Sequence, residues 1–185
     1  MKLEDDKIVA MCKDAAQVEL GIRHLIHKYK EKLYWQIKRI VEHHDDTEEV
    51  LQNVWIKIWQ NIAAFKGESA LSTWIYRITY NESVSYIQGR KKQKLADWET
   101  SEPMIESQTE DKLFNNEIYD REEVLKRIET AIEKLPQKQK LIFHYRYNEE
   151  MPYNQIAEIT GTSEGALKAS FYHAVKKIEE FIKKN

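Results

Sequence analysis

Apolar residues recur every three or four positions along most of the chain, and only five glycines and three prolines in 185 residues interrupt them. That period belongs to the α-helix, and so few breakers leave long helices with few places to turn. An all-α fold is expected. The central stretch runs from Phe65 to Lys94: a short loop (Phe65, Lys66, Gly67, Glu68, Ser69), then a helix ending in the basic cluster Arg90, Lys91, Lys92 and Lys94. At about 100° per residue, Tyr76, Tyr80, Ser83 and Ile87 share one side, flanked by Ile75, Val84 and Tyr86. Trp74, Arg77, Asn81, Ser85 and Gln88 share the other. A Trp, an Arg and an Asn on one outward stripe supply a stacking surface, a cation and a two-way hydrogen-bonding amide, as unstacked bases and phosphates require. Periodicity leaves open a plainer alternative, a solvated face with one half-buried Trp.

Upstream, residues 3–12 read as a short helix. Val18, Ile22, Leu25, Ile26 and Tyr29 mark another from Asp14, and Leu33, Ile37, Ile40 and Val41 carry the pattern into a second. His43 and His44 are adjacent, whereas metal ligands on a helix want a spacing of three or four; a helix terminus is the better reading, and no metal is expected. Asp45 and Asp46 make a good helix start, with Glu48 and Glu49 near the positive end of its dipole. That helix runs to about Ile62. Val50, Leu51, Val54, Trp55, Ile58, Trp59 and Ile62 face inward; Glu49, Gln52, Asn53, Ile56, Lys57 and Gln60 face outward. Ile56 is the anomaly, either a chance exposed residue or the apolar centre of a docking patch for another helix.

Downstream, residues 95–120 are acidic, contain Pro103 and lack a clear period, as a linker with hydrophobic anchors at Trp98, Met104, Ile105 and Phe114 would. Periodicity returns at Arg121. Val124, Leu125, Ile128, Ile132 and Leu135 mark a helix stopped by Pro136, and Gln137 to about Tyr147 is a second, with Leu141, Ile142 and Tyr145. A short third helix holds Tyr153, Ile156, Ala157 and Ile159 and closes at Gly161. Thr162 and Ser163 start a long fourth. Leu167, Phe171, Ala174 and Ile178 lie on one side of it, and Gly165, Ala169, Tyr172 and Lys176 on the other, flanked by Lys168 and His173. A short helix, a glycine turn and a long helix with a basic outer face form the helix-turn-helix pattern of duplex DNA binding; a plain helical hairpin is the alternative. The expected organisation is two small helical domains, 1–94 and 121–185, joined by the acidic linker 95–120.

The net charge of −2 excludes a uniformly basic nucleic-acid binder but not local patches. Basic residues gather at 90–94 and 176–184, and acidic ones dominate 97–123, which suggests a bipolar molecule. The single cysteine, Cys12, excludes an internal disulfide framework and suits a reducing cytosol. No apolar run approaches the roughly 18 residues of a membrane span, and the acidic N-terminus does not read as a signal peptide. A cytoplasmic protein without membrane insertion is expected. No phosphate-cradling glycine loop, CxxC pair, HExxH or GxSxG occurs, so neither an enzyme nor a cofactor is expected.

Three segments, in order, resemble bacterial RNA polymerase sigma factors of the extracytoplasmic-function (ECF) group. "DDTEEVLQNVWIKIWQN" resembles the core-polymerase-binding helix of region 2. "FKGESALSTWIYRITYNESVSYIQGRKK" resembles its −10 promoter segment. "LPQKQKLIFHYRYNEEMPYNQIAEITGTSEGALKASFYHAVKKI" resembles the −35-reading helix-turn-helix of region 4. The resemblance implies that Glu49, Gln52, Asn53 and Ile56 dock on the helical clamp of the polymerase's largest subunit. It implies that Lys66, Gly67, Glu68 and Ser69 form a loop capturing a flipped −10 base, which Asn81 helps hold with Trp74 and Arg77 beside it. Arg90, Lys91 and Lys92 then follow the upstream phosphates. For the −35 element it implies Arg146, Ser163, Lys168, Ala169, Tyr172, His173 and Lys176. The linker threads the polymerase's RNA path, and an anti-sigma protein is the implied regulatory partner beside core polymerase and promoter DNA. A duplex-binding transcription factor needs only the C-terminal motif and leaves 45–92 unexplained; a helical interaction protein does not explain the Trp74, Arg77, Asn81 stripe.

The chain departs from the family at Ser170, His173 and Val175, which occupy commonly basic positions, and at Ser85, often acidic there. With few arginines on the last helix, direct guanine readout is limited, and −35 recognition should lean on DNA shape, phosphates and Lys168. Competition between −35 variants should therefore show graded preferences. Strict dependence on one guanine, lost in Lys168→Ala, would establish direct readout instead.

Overall fold

A computed structural model describes residues 4–98 and 121–184, with side chains over 4–90 and 124–183. The expected linker anchors Met104, Ile105 and Phe114, and the side chains of Lys91, Lys92, Lys94 and Trp98, lie outside the described residues. Every regular element among the described residues is a helix. Asp5–Lys13 (α1), Val18–Val41 (α2), His44–Asn61 (α3) and Leu71–Trp98 (α4) are followed by Arg121–Glu133 (α5), Gln137–Phe143 (α6), Tyr153–Thr160 (α7) and Glu164–Lys184 (α8). They form two compact units, one centred on α1–α4 and the other on α5–α8.

In the first unit, α2 is one continuous helix where the sequence suggested two. Nothing between Tyr29 and Leu33 breaks the backbone, so the apolar stripe simply continues. Leu25, Leu33, Ile37 and Ile40 from α2 are buried, with Val50, Val54 and Ile58 from α3 and Leu71, Ile75 and Tyr76 from α4. Each such side chain is worth about 1.5–3 kcal/mol on leaving water. Gln36 is buried among them, and its amide donates to the Tyr76 carbonyl at 3.1 Å. Midway along α2, the Asp5 carboxylate accepts from Lys28 (2.7 Å) and from the Tyr29 hydroxyl (2.9 and 3.0 Å), pinning α1 across it. The 3-10 turn Ile62–Ala64 continues α3, and Lys13 donates to the Phe65 carbonyl at 2.7 Å, tying the following loop to α1.

The inner line of α4 differs from the expected one. Leu71, Ile75, Thr79 and Ser83 are buried, while Tyr80 and Ile87 are only half-buried. Thr79 and Ser83 donate to the carbonyls four residues back, of Ile75 (3.0 Å) and Thr79 (2.8 Å). A hydroxyl satisfied inside its own helix carries little burial penalty, so small polar residues take the deepest positions. The backbone of α4 also stays helical past the basic cluster to Trp98, through residues 95–98 that read as the start of the linker.

In the second unit, Ala131, Leu135, Phe143, Ala174 and Ile178 form one buried cluster. Leu141, Ile142, Tyr145, Met151, Ile156, Ile159 and Leu167 are buried as well. The Phe143 ring stacks with Tyr147 at 5.2 Å and with Phe171 at 5.8 Å between centroids. Leu125, expected inside, is 52% exposed; among the described side chains of α5 the buried one is Ala131, whose small side chain gave no apolar signal. After α6 the helix widens into a π-turn over His144–Asn148.

Gly21 sets the spacing of α1 and α2. A Cβ there would lie 2.8 Å from both the backbone nitrogen and the sulfur of Cys12. Cys12 is itself buried, and burial pushes its thiol pKa up. Because one obstacle is backbone, relief requires α1 to move. Gly21→Ala is therefore expected to cost about 1–3 kcal/mol despite its better helix propensity, read as a lower urea midpoint; an unchanged midpoint would mean that α1 yields freely.

Candidate nucleic-acid interface

Three outward surfaces collect the sequence-predicted residues. On α3, His43 is the N-cap and Asp45 and Asp46 sit in the first turn, where the helix dipole favours carboxylates. Thr47 is buried, its hydroxyl donating to the His43 carbonyl at 2.6 Å. That residue and the buried Val50, Val54 and Ile58 turn the opposite edge outward. Glu49, Gln52, Asn53 and Ile56 are all exposed on it, Ile56 to 45%. Trp59, expected in the core, is 61% exposed one turn beyond Ile56. The core beneath α3 is filled by Ile58 and Ile62, and nothing in a helical period told Trp59 from them. The resulting face pairs a carboxylate and two amides with an apolar end, which suits another helix.

On the second surface, the loop before α4 is shaped by Phe65, buried, and Gly67, at φ +76°, where a side chain would be strained. Lys66 and Glu68 are exposed and Ser69 is half-buried. The Phe65 ring lies 5.3 Å from the half-buried Trp74 ring, so the loop is held against the start of the α4 stripe. From there the stripe opens outward through half-buried Arg77 to exposed Asn81, Ser85 and Gln88. The structure thus brings the loop, Trp74, Arg77 and Asn81 onto one side of one unit.

Arg90 has a partner that the sequence did not suggest: it forms an ion pair with Asp46 of α3. Tyr86 donates to Asp46 at 2.8 Å and to Glu49 at 3.1 Å, and Lys57 pairs with Glu82 further along. These bridges join α3 and α4 as an antiparallel hairpin. Removal from water and the two acceptor carboxylates push the Tyr86 phenol up to about 12.

The third surface lies on α7 and α8. Gly161 turns the chain at φ +66°, and the Ser163 hydroxyl accepts from the Ala166 amide at 3.4 Å at the start of α8. Lys168, Ala169, Tyr172, His173 and Lys176 are all exposed, Tyr172 to 64%. The Arg146 guanidinium and the Lys168 ammonium lie 5.4 Å and 5.6 Å from the centre of the same Tyr153 ring. One aromatic ring therefore gathers two cations distant in sequence. Lys168 also meets Glu164 at 3.7 Å. Among the described residues, no group of three His, Cys, Asp or Glu is placed to hold a metal, and no helix is long and apolar enough to cross a membrane.

Comparison with known proteins matches these two units to two family descriptions. Residues 25–93 match "Sigma-70 region 2" and residues 125–178 match "Sigma-70, region 4". The ECF RNA polymerase sigma-E factor of Haemophilus influenzae is 29% identical, over 85% of this chain and 85% of that protein. RNA polymerase sigma factor SigV of Bacillus subtilis is 24% identical, over 82% and 84%. Among solved structures, the sigma factor RpoE of Bartonella quintana, in complex with the anti-sigma factor NepR, shares the fold with a TM-score of 0.65 at 20% identity, over 87% of this chain and 96% of that one. CnrH, in complex with the cytosolic domain of CnrY, gives 0.64 at 14%, over 98% of each.

Folding keeps the Tyr86 phenol protonated, so its contribution to stability is complete below about pH 10 and is lost as pH rises through about 12. Tyr86→Phe should remove the phenolate absorbance step near pH 12 and flatten the fall in stability across that window; an unchanged alkaline titration would contradict it.

Proposed function

This chain belongs to the sigma-70 family of RNA polymerase sigma factors, in its ECF group, and on that premise we propose which of its surfaces do what. It is a transcription initiation factor that binds core RNA polymerase and directs it to promoters. We assign 1–94 to core and −10 binding, 95–120 to a linker along the polymerase's RNA path, and 121–185 to −35 binding. Glu49, Gln52, Asn53 and Ile56 on α3 dock on the helical clamp of the largest polymerase subunit.

The observation that carries the −10 assignment is the loop held against α4 by Phe65 and Trp74, with Asn81 exposed one stripe along. Lys66, Gly67, Glu68 and Ser69 wall a recess for a flipped base, Asn81 hydrogen-bonds it, and Trp74 and Arg77 support its neighbours. Flipping costs a few kcal/mol of stacking. The chain brings no nucleophile or base to that task, so binding energy traps the open strand and the polymerase supplies the chemistry. Arg90, Lys91 and Lys92 track the upstream phosphates. On the second unit, Lys168 and Arg146, gathered on Tyr153, approach the −35 duplex with Ser163, Ala169, Tyr172, His173 and Lys176.

The protein works where the polymerase works, in the cytoplasm. A sigma factor of the same fold bound to an anti-sigma factor supports an anti-sigma partner for this chain too. Run-off transcription with sigma-free core polymerase and fragments of the source genome tests the whole reading. Promoter-specific transcripts should require the protein and fall about tenfold or more, the equivalent of about 1.4 kcal/mol, in Asn81→Ala and in Ile56→Asp. A folded protein that neither binds core nor initiates would make duplex-binding regulation the better account.

A further inference from the structure

Tyr86 belongs to neither predicted surface, yet its hydroxyl touches Glu49 of the predicted docking face. It reaches from α4 to two carboxylates on the first turns of α3, Asp46 Oδ1 at 2.8 Å and Glu49 Oε2 at 3.1 Å. Those carboxylates are three residues apart on one helix face and repel each other. A phenol has a single proton to donate, but Asp46 has a second partner: Arg90 pairs with its other oxygen, Oδ2. The Arg90 guanidinium also lies over the Tyr86 ring, 6.0 Å from its centre. With Asp46 compensated by Arg90, the phenol is the group that orients Glu49. Its bond engages Oε2 and leaves Oε1 for a second donor.

We propose that Tyr86 is a positioning residue for polymerase docking: it fixes the Glu49 carboxylate so that α3 presents its free oxygen to a basic side chain of the partner. The proposal rests on the reading of α3 as the docking face. It explains why a tyrosine, rather than another apolar residue, stands on this flank of α4, since Tyr86 is only half-buried and its ring alone does little for the core. It also makes presentation of the α3 face depend on a residue of the −10 helix.

The test is equilibrium binding of labelled full-length protein to core polymerase, for Tyr86→Phe, Glu49→Gln and the double variant, with thermal unfolding and run-off alongside. Each single variant should weaken core binding about three- to tenfold, and the double should be no weaker than the worse single, because both remove the same interaction. Tyr86→Phe should lower the unfolding temperature only modestly, staying folded at the assay temperature, and should recover full transcript yield at saturating protein, a loss of affinity without loss of turnover. Additive effects, or wild-type binding by Tyr86→Phe while Glu49→Gln is weakened, would overturn the positioning role and leave the docking face standing. Wild-type binding by both single variants would overturn the docking assignment of Glu49 itself.

Discussion

What α3 and α4 bury decides what they show. Val50, Val54 and Ile58 turn one edge of α3 into the core, and the opposite edge carries Glu49, Gln52, Asn53 and Ile56. Leu71, Ile75, Thr79 and Ser83 do the same for α4, whose far side holds Trp74, Arg77 and Asn81. Because apolar burial is non-directional, it fixes which edge faces in but not the slide or roll of one helix on another. The bridges from Asp46 to Arg90 and Tyr86, and from Lys57 to Glu82, supply that missing directionality. Such pairs contribute little energy at a surface, and here their value lies in register.

Most of the helical layout was legible because the pattern of apolar spacing is carried by large residues with no other reason to recur. The exceptions share a cause. Thr79 lies at the bottom of the core although it is polar, since its hydroxyl bonds within the helix. Trp59 lies outside although it is large and apolar, as does Leu125. A helical period weighs residue types and cannot know where the neighbouring helix ends. Of the candidate sites, the outward direction of the α3 and α4 stripes could be read from spacing. The gathering of Arg146 and Lys168 on Tyr153 could not, nor could the capture of Arg90 by Asp46, because both join residues from different helices.

The electrostatics follow the same division. A net charge of −2 conceals stretches of sequence of opposite character. Arg90, which lies next to two lysines in sequence, already has an internal carboxylate, so any phosphate it meets competes with Asp46. Lys168 is similarly shared with Glu164. Cations engaged in this way discriminate between a well-placed anion and a diffuse one, since only the former repays the exchange.

The close approach of Gly21 to Cys12 has a consequence for how the molecule can be handled. The only sulfhydryl in the sequence is covered by a neighbouring helix and held in its protonated, unreactive form. Maleimide or iodoacetamide chemistry on the native fold therefore meets little competition from Cys12. A cysteine placed on the rim of either unit becomes a unique attachment point for a dye or spin label without first deleting the native one.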